Sequence, residues 1–334
     1  MSENLNRRSF LKKSIIASTG AAAIGLSLEE KALLAKAKEK PTAPASAGSV
    51  KGLPMGRIGN VKISRLICGG NLINGYAHSR DLIYVSALLK RYFTDEKIME
   101  TWQICEENGI NTAILSNDDD DKEGIRILNK YWNQRGGKIQ WIAQCIPKLN
   151  DLTSNIKRAV DNGAVGAFVM GNIGDDWVRS GRVDLLEKVV EFIKKNGLIA
   201  GIAGHSINVP ITFEAAGINV DFYSKTLHSS NYWSARRPDQ HRDVIDNYDA
   251  DNYWSMTPEQ TIESMKEVNK PWIAYKVLAA GAIHPKEGFK YAFKNGADFI
   301  NVGMYDFQVL EDAVIAKKLL SKKEIKNRTR PWKA

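Results

Sequence analysis

The sequence predicts an α/β protein built on one (β/α)8 TIM barrel. Three observations carry that prediction. A helix-then-strand unit recurs along most of the 334 residues, each helix ends on glycine or Asn-Gly, and each apolar run that follows breaks off into polar residues. The stops are Asn108-Gly109, Gly136-Gly137, Asn162-Gly163, Asn196-Gly197, Gly217 and Asn295-Gly296, where a helix favours a left-handed residue just past its end. Eight strands alternating with helices in this order close into a parallel barrel, whose active site lies where the strands run into the following loops.

The elements follow in sequence order. An apolar run at 63–70 (ISRLICGG) is strand one, ahead of the first helix. Strands two to six fall at 110–116 (INTAILS), 139–146 (IQWIAQCI), 165–171 (VGAFVMG), 199–205 (IAGIAGH) and 222–228 (FYSKTLH). A helix at 258–269 leads to strand seven at 272–278 (WIAYKVL), and the Asn295-Gly296 stop leads to strand eight at 297–303 (ADFINVG). Residues 48–320 thus make one domain. Two long connections, 71–89 after strand one and 229–256 after strand six, are candidate lids. The second holds Tyr232, Trp233, Tyr248, Tyr253 and Trp254, rings that suit stacking on a sugar or else pin the loop to the barrel. Its Asp246, Asp249, Asp251 and Asn252 match no calcium-loop spacing.

The ends differ from the barrel. The formal charge is +9, but residues 1–47 and 321–334 hold an excess of four and five positive charges, which leaves the barrel neutral and argues against a nucleic-acid partner. Arg7-Arg8-Ser9-Phe10-Leu11-Lys12 precedes an apolar, Ala/Gly-rich stretch from Ile15 to Leu28. That is the layout of a twin-arginine export signal, so the twin-arginine machinery is an expected partner and the periplasm the expected location. The stretch is too short for a stable membrane anchor. Cleavage fits after Ala35-Lys36-Ala37 or Ala45-Ser46-Ala47. The basic end 321–334 reads as a solvated tail with Trp332 packed down. Cys68, Cys105 and Cys145 lie in predicted strands and a helix and read as core residues.

Candidate site residues come from facing. The outside of a barrel strand is covered by helices and must be apolar, so a charged mid-strand side chain is expected to point inward or to the rim. This turns Gln140, Ile142, Gln144 and Lys148 inward on strand three, with Trp141 and Ala143 under the helices. It turns Tyr223 and Lys225 inward on strand six. On strand seven it sends Ile273, Tyr275 and Val277 out and Lys276 in. Asn301 on strand eight and His205 at the tip of strand five complete the lining. All five histidines, His78, His205, His228, His241 and His284, fall at strand ends or in loops. His205 and His228 end adjacent strands, where neutral imidazole serves as acid, base or metal ligand. Lys148, Lys225 and Lys276 with few carboxylates predict an anionic or sugar-like ligand; the acidic run Asp118–Asp121 is the other available counter-charge. Lys225 also sits where Schiff-base aldolases on this fold keep their nucleophile, by fold analogy.

The segments MGRIGNVKISRLICGGN, Thr94 through GINTAIL, and Tyr275-Lys276-Val277-Leu278-Ala279-Ala280-Gly281 together resemble the aldo/keto reductases: their short hairpin and first strand, their first repeat, and their seventh-strand cofactor loop. The HSRDL and VGMYDFQ stretches are also similar to those of a group of exported barrels of unassigned function. The resemblance spans 53–320. It implies NADP(H) or NAD(H), with Lys276, Ala280, Gly281 and Gly303 around the cofactor, and it implies a catalytic tetrad. Asp118 matches the Asp place and Lys148 the Lys place. The Tyr place falls on Glu123 and the His place on Gly171-Asn172, so the tetrad is incomplete; Tyr76 or His78 is available to fill the gap.

The expected function is therefore an exported barrel enzyme acting on a small polar carbonyl or polyol, an aldo/keto reductase-like oxidoreductase. Its expected catalytic residues are Asp118, Lys148, His205, Lys225, His228 and Lys276, and its substrate contacts His78, Gln144, Tyr232, Trp233 and Asn301. Two alternatives stand beside it. One is a lyase, isomerase or aldolase using an inward lysine or a divalent metal at His205 and His228, and the other is a non-enzymatic sugar-binding barrel.

Overall fold

Gly109, Gly136, Gly163, Gly197, Gly217 and Gly296 all adopt left-handed φ, between 66° and 109°. Each ends a helix by a conformation that costs glycine little, and this sets the chain for the next strand. The computed structural model describes residues 52–334 apart from 77, 79–81, 119–122, 238 and 240–252. The stretch expected to be an export signal, His241, Asp119–Asp121 and the acidic cluster Asp246–Asn252 with Tyr248 lie outside the described residues.

An antiparallel hairpin, β1 (Met55–Ile58) and β2 (Val61–Ser64), comes first. Then β3 (Leu66–Gly69), β4 (Thr112–Asn117), β5 (Gln140–Cys145), β6 (Gly166–Val169), β7 (Ile199–Gly204), β8 (Phe222–Thr226), β9 (Trp272–Tyr275) and β10 (Phe299–Gly303) form a closed parallel barrel, with β10 paired back to β3. All eight expected strands are present. The first run, 63–70, is divided: Ser64 ends the hairpin, and Arg65 is bonded to the carbonyls of Asp298 and Ala334 before β3 begins. The helices are α1 (Val85–Tyr92), α2 (Asp95–Glu107), α3 (Glu123–Arg135), α4 (Ser154–Asp161), α5 (Gly171–Arg179), α6 (Val183–Lys195), α7 (Asn208–Ala216), α8 (Pro258–Glu267), α9 (Pro285–Lys294), α10 (Asp306–Leu320) and α11 (Lys323–Lys326). Among the described residues no helix is long and apolar enough to cross a membrane.

Strand alternation sorts the side chains into two cores. Ile67, Ile114, Ile142, Phe168, Ile199, Phe222, Ile273 and Phe299, one from each barrel strand, fill the interior together with Ile58 and Ile63 of the hairpin below. Trp141, Trp272, Tyr223 and Ala274, of opposite parity, pack under the helices. Each large apolar side chain so buried contributes about 1.5–3 kcal/mol. The three cysteines are free and buried, as expected of core residues.

The C-terminal segment does not form the solvated tail expected of it. Arg328 and Arg330 are buried and both pair with Asp298, at 2.9 and 2.7 Å. Arg330 also donates to the carbonyls of Met265, Gly296, Val268 and Lys270. Trp332 packs as expected, its ring 3.5 Å from the Arg328 guanidinium carbon. Basic composition alone suggests solvent, but a planar guanidinium with an enclosed carboxylate and several carbonyls is satisfied inside the protein.

Candidate active site

A cavity of about 520 Å³ opens where the strands end, with Ile114, Phe168 and Ala203 of the interior layer on its wall. Among the described residues its polar lining comprises Asn71, Tyr76, His78, Ser116, Asp118, Gln144, Asn172, His205, Ser224, Tyr275, Lys276, Asn301, Tyr305 and Gln308. These side chains come from many strand ends and from the 71–89 connection. Asp118 and Lys276 are the carboxylate and ammonium in that set, so the pocket is close to neutral and rich in hydrogen-bonding groups.

His205 is held rigidly. Asp175, buried on α5, accepts from the backbone N–H of His205 and of Ser206, and its Oδ2 lies 2.8 Å from His205 Nδ1. A carboxylate against Nδ1 fixes the ring proton there, which leaves Nε2 as a bare acceptor. Among the described residues Nε2 has no hydrogen-bond partner. Burial first, then the charge of Lys276, lowers the His205 pKa to about 4 against the pull of Asp175. The imidazole is therefore neutral at physiological pH.

The Tyr275 hydroxyl is buried, lies on the cavity wall and has no hydrogen-bond partner among the described residues. Its ring meets His205 edge-to-face, centroids 5.5 Å apart. Burial raises its pKa well above the usual phenol value, and the Asp175 charge adds to this, so it remains an O–H donor. A Cβ built on Gly171 would stand 2.6 Å from that oxygen and 3.0 Å from His205 Cε1. A side chain at 171 would collide with both, so glycine is what lets the phenol and the imidazole pack side by side against the start of α5. Asn301 Oδ1 is a second buried polar atom on the wall without a partner among the described residues.

Several expected site residues lie elsewhere. Phe222 and Ser224 take the inward positions of β8, so Tyr223 and Lys225 face the helices, contrary to expectation. Tyr223 donates to Glu214 of α7. Lys225 is fully buried, outside the cavity, and donates to the Thr226 hydroxyl and carbonyl at 2.8 and 3.1 Å. Burial lowers its pKa to about 7, a neutralisation that makes the outward position tolerable. Lys148 is exposed in a turn bridged to Asp151 and does not line the cavity. Glu123 is an exposed partner of Arg126 at the start of α3. The anionic ligand inferred from three inward lysines loses its basis, since Lys276 alone among them reaches the wall.

His228 is a structural tie. Its Nδ1 lies 2.7 Å from the Lys276 carbonyl and its Nε2 accepts from the Ser255 N–H and the Tyr232 hydroxyl. With both nitrogens engaged, it forms no metal pair with His205 and is off the cavity wall; among the described residues no three His, Cys, Asp or Glu side chains gather for a metal. Tyr232 packs with Tyr253, Trp254 and Ala279, and Trp233 is 88% exposed, so neither expected ring reaches the cavity. The 71–89 connection does, through Asn71, Leu72, Tyr76, His78, Val85 and Leu89.

Strand seven faces the other way from the expectation. Ile273 and Tyr275 point inward, while Trp272 and Ala274 face the helices. Lys276 follows the strand with φ 57°, which breaks the alternation and brings Tyr275 and Lys276 to the same wall. Asp118, Gln144, His78, His205, Lys276 and Asn301 line the cavity as expected, and so do Ala280, Gly281 and Gly303. Asp175 and Tyr275 were missed. The signals for them were an acid one helical turn past Gly171 and a tyrosine in step with Ile273.

A nicotinamide cofactor fits this wall in part. The orphaned Asn301 Oδ1 suits a carboxamide N–H. Lys276, Ala279, Ala280 and Gly281 all have left-handed φ; the Ala279 and Gly281 N–H groups are spent within this turn on the carbonyls of Lys276 and Leu278, so what it offers an anionic oxygen is the Lys276 ammonium on the cavity wall.

No family model matches the chain, and no curated protein matches it. Two solved structures from Pseudomonas aeruginosa, each titled a putative aldo-keto reductase, are similar at 14% identity. One has a TM-score of 0.53 and covers 80% of this chain and 94% of its own. The other has a TM-score of 0.50, with coverage of 80% and 95%. The likeness establishes a shared fold, the closed parallel barrel with its flanking helices.

Proposed function

We propose that the barrel mouth is the active site of an oxidoreductase that interconverts a carbonyl and an alcohol on a small, neutral, polar, sugar-derived substrate. The observation that carries this reading is the buried, partnerless Tyr275 hydroxyl. Reduction of a carbonyl leaves an alkoxide that needs a proton, and a phenol kept protonated by burial on the cavity wall is a suitable donor. It stands in for the phenol missing at Glu123, reaching the cavity from strand seven instead of from beyond strand two. Lys276 on the same wall favours the negative charge that passes from substrate oxygen to phenol oxygen. Ser224, Gln144 and Asn172 offer hydrogen bonds to substrate hydroxyls.

Lys276, Ala280, Gly281, Gly303 and Asn301 would hold a nicotinamide cofactor, which supplies hydride when bound. The fold shared with the two Pseudomonas aeruginosa structures supports this choice of chemistry. With its twin-arginine signal the enzyme is exported folded, so a cofactor is acquired before transport to the periplasm.

The test is to titrate the purified protein with NADPH and NADH, reading tryptophan fluorescence and thermal shift, and then to follow reduction of glycolaldehyde and glyceraldehyde. Saturable binding and turnover are expected. No binding at millimolar cofactor, with no turnover, contradicts the reading.

A further inference from the structure

We propose that the same cavity catalyses a second reaction needing no nicotinamide: proton transfer between the two carbons of an α-hydroxy carbonyl compound, with His205 as base and the Tyr275 hydroxyl on the carbonyl oxygen. Reduction uses one proton donor, and Tyr275 provides it. The His205–Asp175 pair is left over, and its geometry is that of a working base. Nδ1 is tied to the Asp175 carboxylate at 2.8 Å, and the Asp175 oxygens also accept the backbone N–H of His205 and Ser206, so the ring cannot turn. The bare Nε2 belongs to a ring on the cavity wall. Donor and base stand side by side, since Tyr275 Oη and His205 Cε1 lie 2.6 and 3.0 Å from the one point that a Cβ on Gly171 would occupy, and their rings meet edge-to-face. Helix α5 begins at Gly171, so the positive end of its dipole faces the place where enediolate charge would develop.

The step balances within the substrate. Nε2 takes the proton from the carbon bearing the hydroxyl, and the C–H electron pair becomes the C=C bond. The carbonyl π pair moves onto oxygen, which accepts a hydrogen bond from Tyr275. The remaining O–H proton passes from the α-oxygen to the former carbonyl oxygen, and the imidazolium returns its proton to the former carbonyl carbon. The two carbons exchange oxidation level, so an aldose becomes a ketose and no outside oxidant or reductant is consumed.

The experiment is proton NMR in deuterated buffer without nicotinamide, using glycolaldehyde, glyceraldehyde and dihydroxyacetone as probes. Deuterium is expected at the α-carbon, with interconversion of the two trioses, at least 100-fold faster with the parent protein than with His205→Gln of matching thermal midpoint. Asp175→Asn keeps a partner for Nδ1 but removes the charge, so slower exchange and an acid limb moved to lower pH are expected; these decide the matter if His205→Gln does not fold. Exchange no faster in the parent than in His205→Gln for all three probes, or a rate and pH limb unmoved in Asp175→Asn, overturns the inference. Cofactor-dependent turnover without exchange overturns this inference alone, and exchange without cofactor binding or turnover overturns the preceding reading alone.

Discussion

Asp175 holds the imidazole in place and is the point at which the site is most easily dismantled. Asp175→Ala strips the acceptor from the His205 and Ser206 backbone N–H groups and from Nδ1. An unsatisfied buried donor costs about 1–3 kcal/mol, so urea unfolding should show a loss of roughly 3 kcal/mol where surface changes on α5 show little. The pH dependence has a definite sign. Burial, with Lys276 and Lys225 repelling and Asp175 opposing, takes His205 from 6.5 to about 4, and His228 shifts the same way. Between these values the unfolded chain binds protons that the folded chain does not, so the stability contribution is complete above the unfolded value and is lost as pH falls toward 4. Unfolding at pH 7 and pH 5 should therefore differ, the protein being weaker at pH 5, and any activity that needs bare Nε2 should hold well below the ordinary histidine range.

At the scale of elements, β8 and β9 set which lysine matters. Lys225→Met removes a buried amine whose hydrogen bonds, among the described residues, go to Thr226 and which lies off the cavity wall, so activity at neutral pH should be unchanged and stability should rise by up to a few kcal/mol as the desolvation cost disappears. Lys276→Met should cut turnover instead. Loss of activity in Lys225→Met, measured at equal folding, would contradict the outward facing of β8. At the other end of the barrel, Asp298 is fully buried between Arg328 and Arg330. Asp298→Ala leaves two guanidinium groups without their carboxylate and should cost about 3–5 kcal/mol in denaturant unfolding. The strands and helix stops were legible because left-handed glycines and apolar runs are local signals. Gln144 was legible because the parity of strand three was read correctly, and His205, Asn301 and Asp118 because each lies toward the end of a strand or just past it, where the cavity opens. Lys225 was misread because the rule that charge points inward neglects a lysine that escapes its charge by losing a proton. Tyr275 was misread because Lys276 was counted as part of the strand, whereas its left-handed φ ends the alternation. Asp175 was hidden because its partner lies 30 residues on, across β7, and nothing local marks a helix acid as an anchor.

Across the whole molecule, one end of the barrel is sealed and the other is open. The β1–β2 hairpin and the Arg65, Arg328 and Arg330 network close the bottom, and the polar cavity sits at the top. Export is proposed to add a timing rule, with folding and loading first and transport second. Changing Arg7 and Arg8 together to Lys should leave full-length precursor in the cytoplasm, which fractionation and immunoblotting would show; unchanged export would contradict it. The central claim is that the Tyr275 hydroxyl delivers the proton at the barrel mouth. The most direct measurement is steady-state kinetics of Tyr275→Phe on a hydroxyaldehyde, with the thermal midpoint checked in parallel. Loss of an acid in this role costs about 10²–10⁴-fold, so a fall in kcat of at least 100-fold at unchanged thermal midpoint is predicted, whereas kcat within a few-fold of the parent would contradict the account.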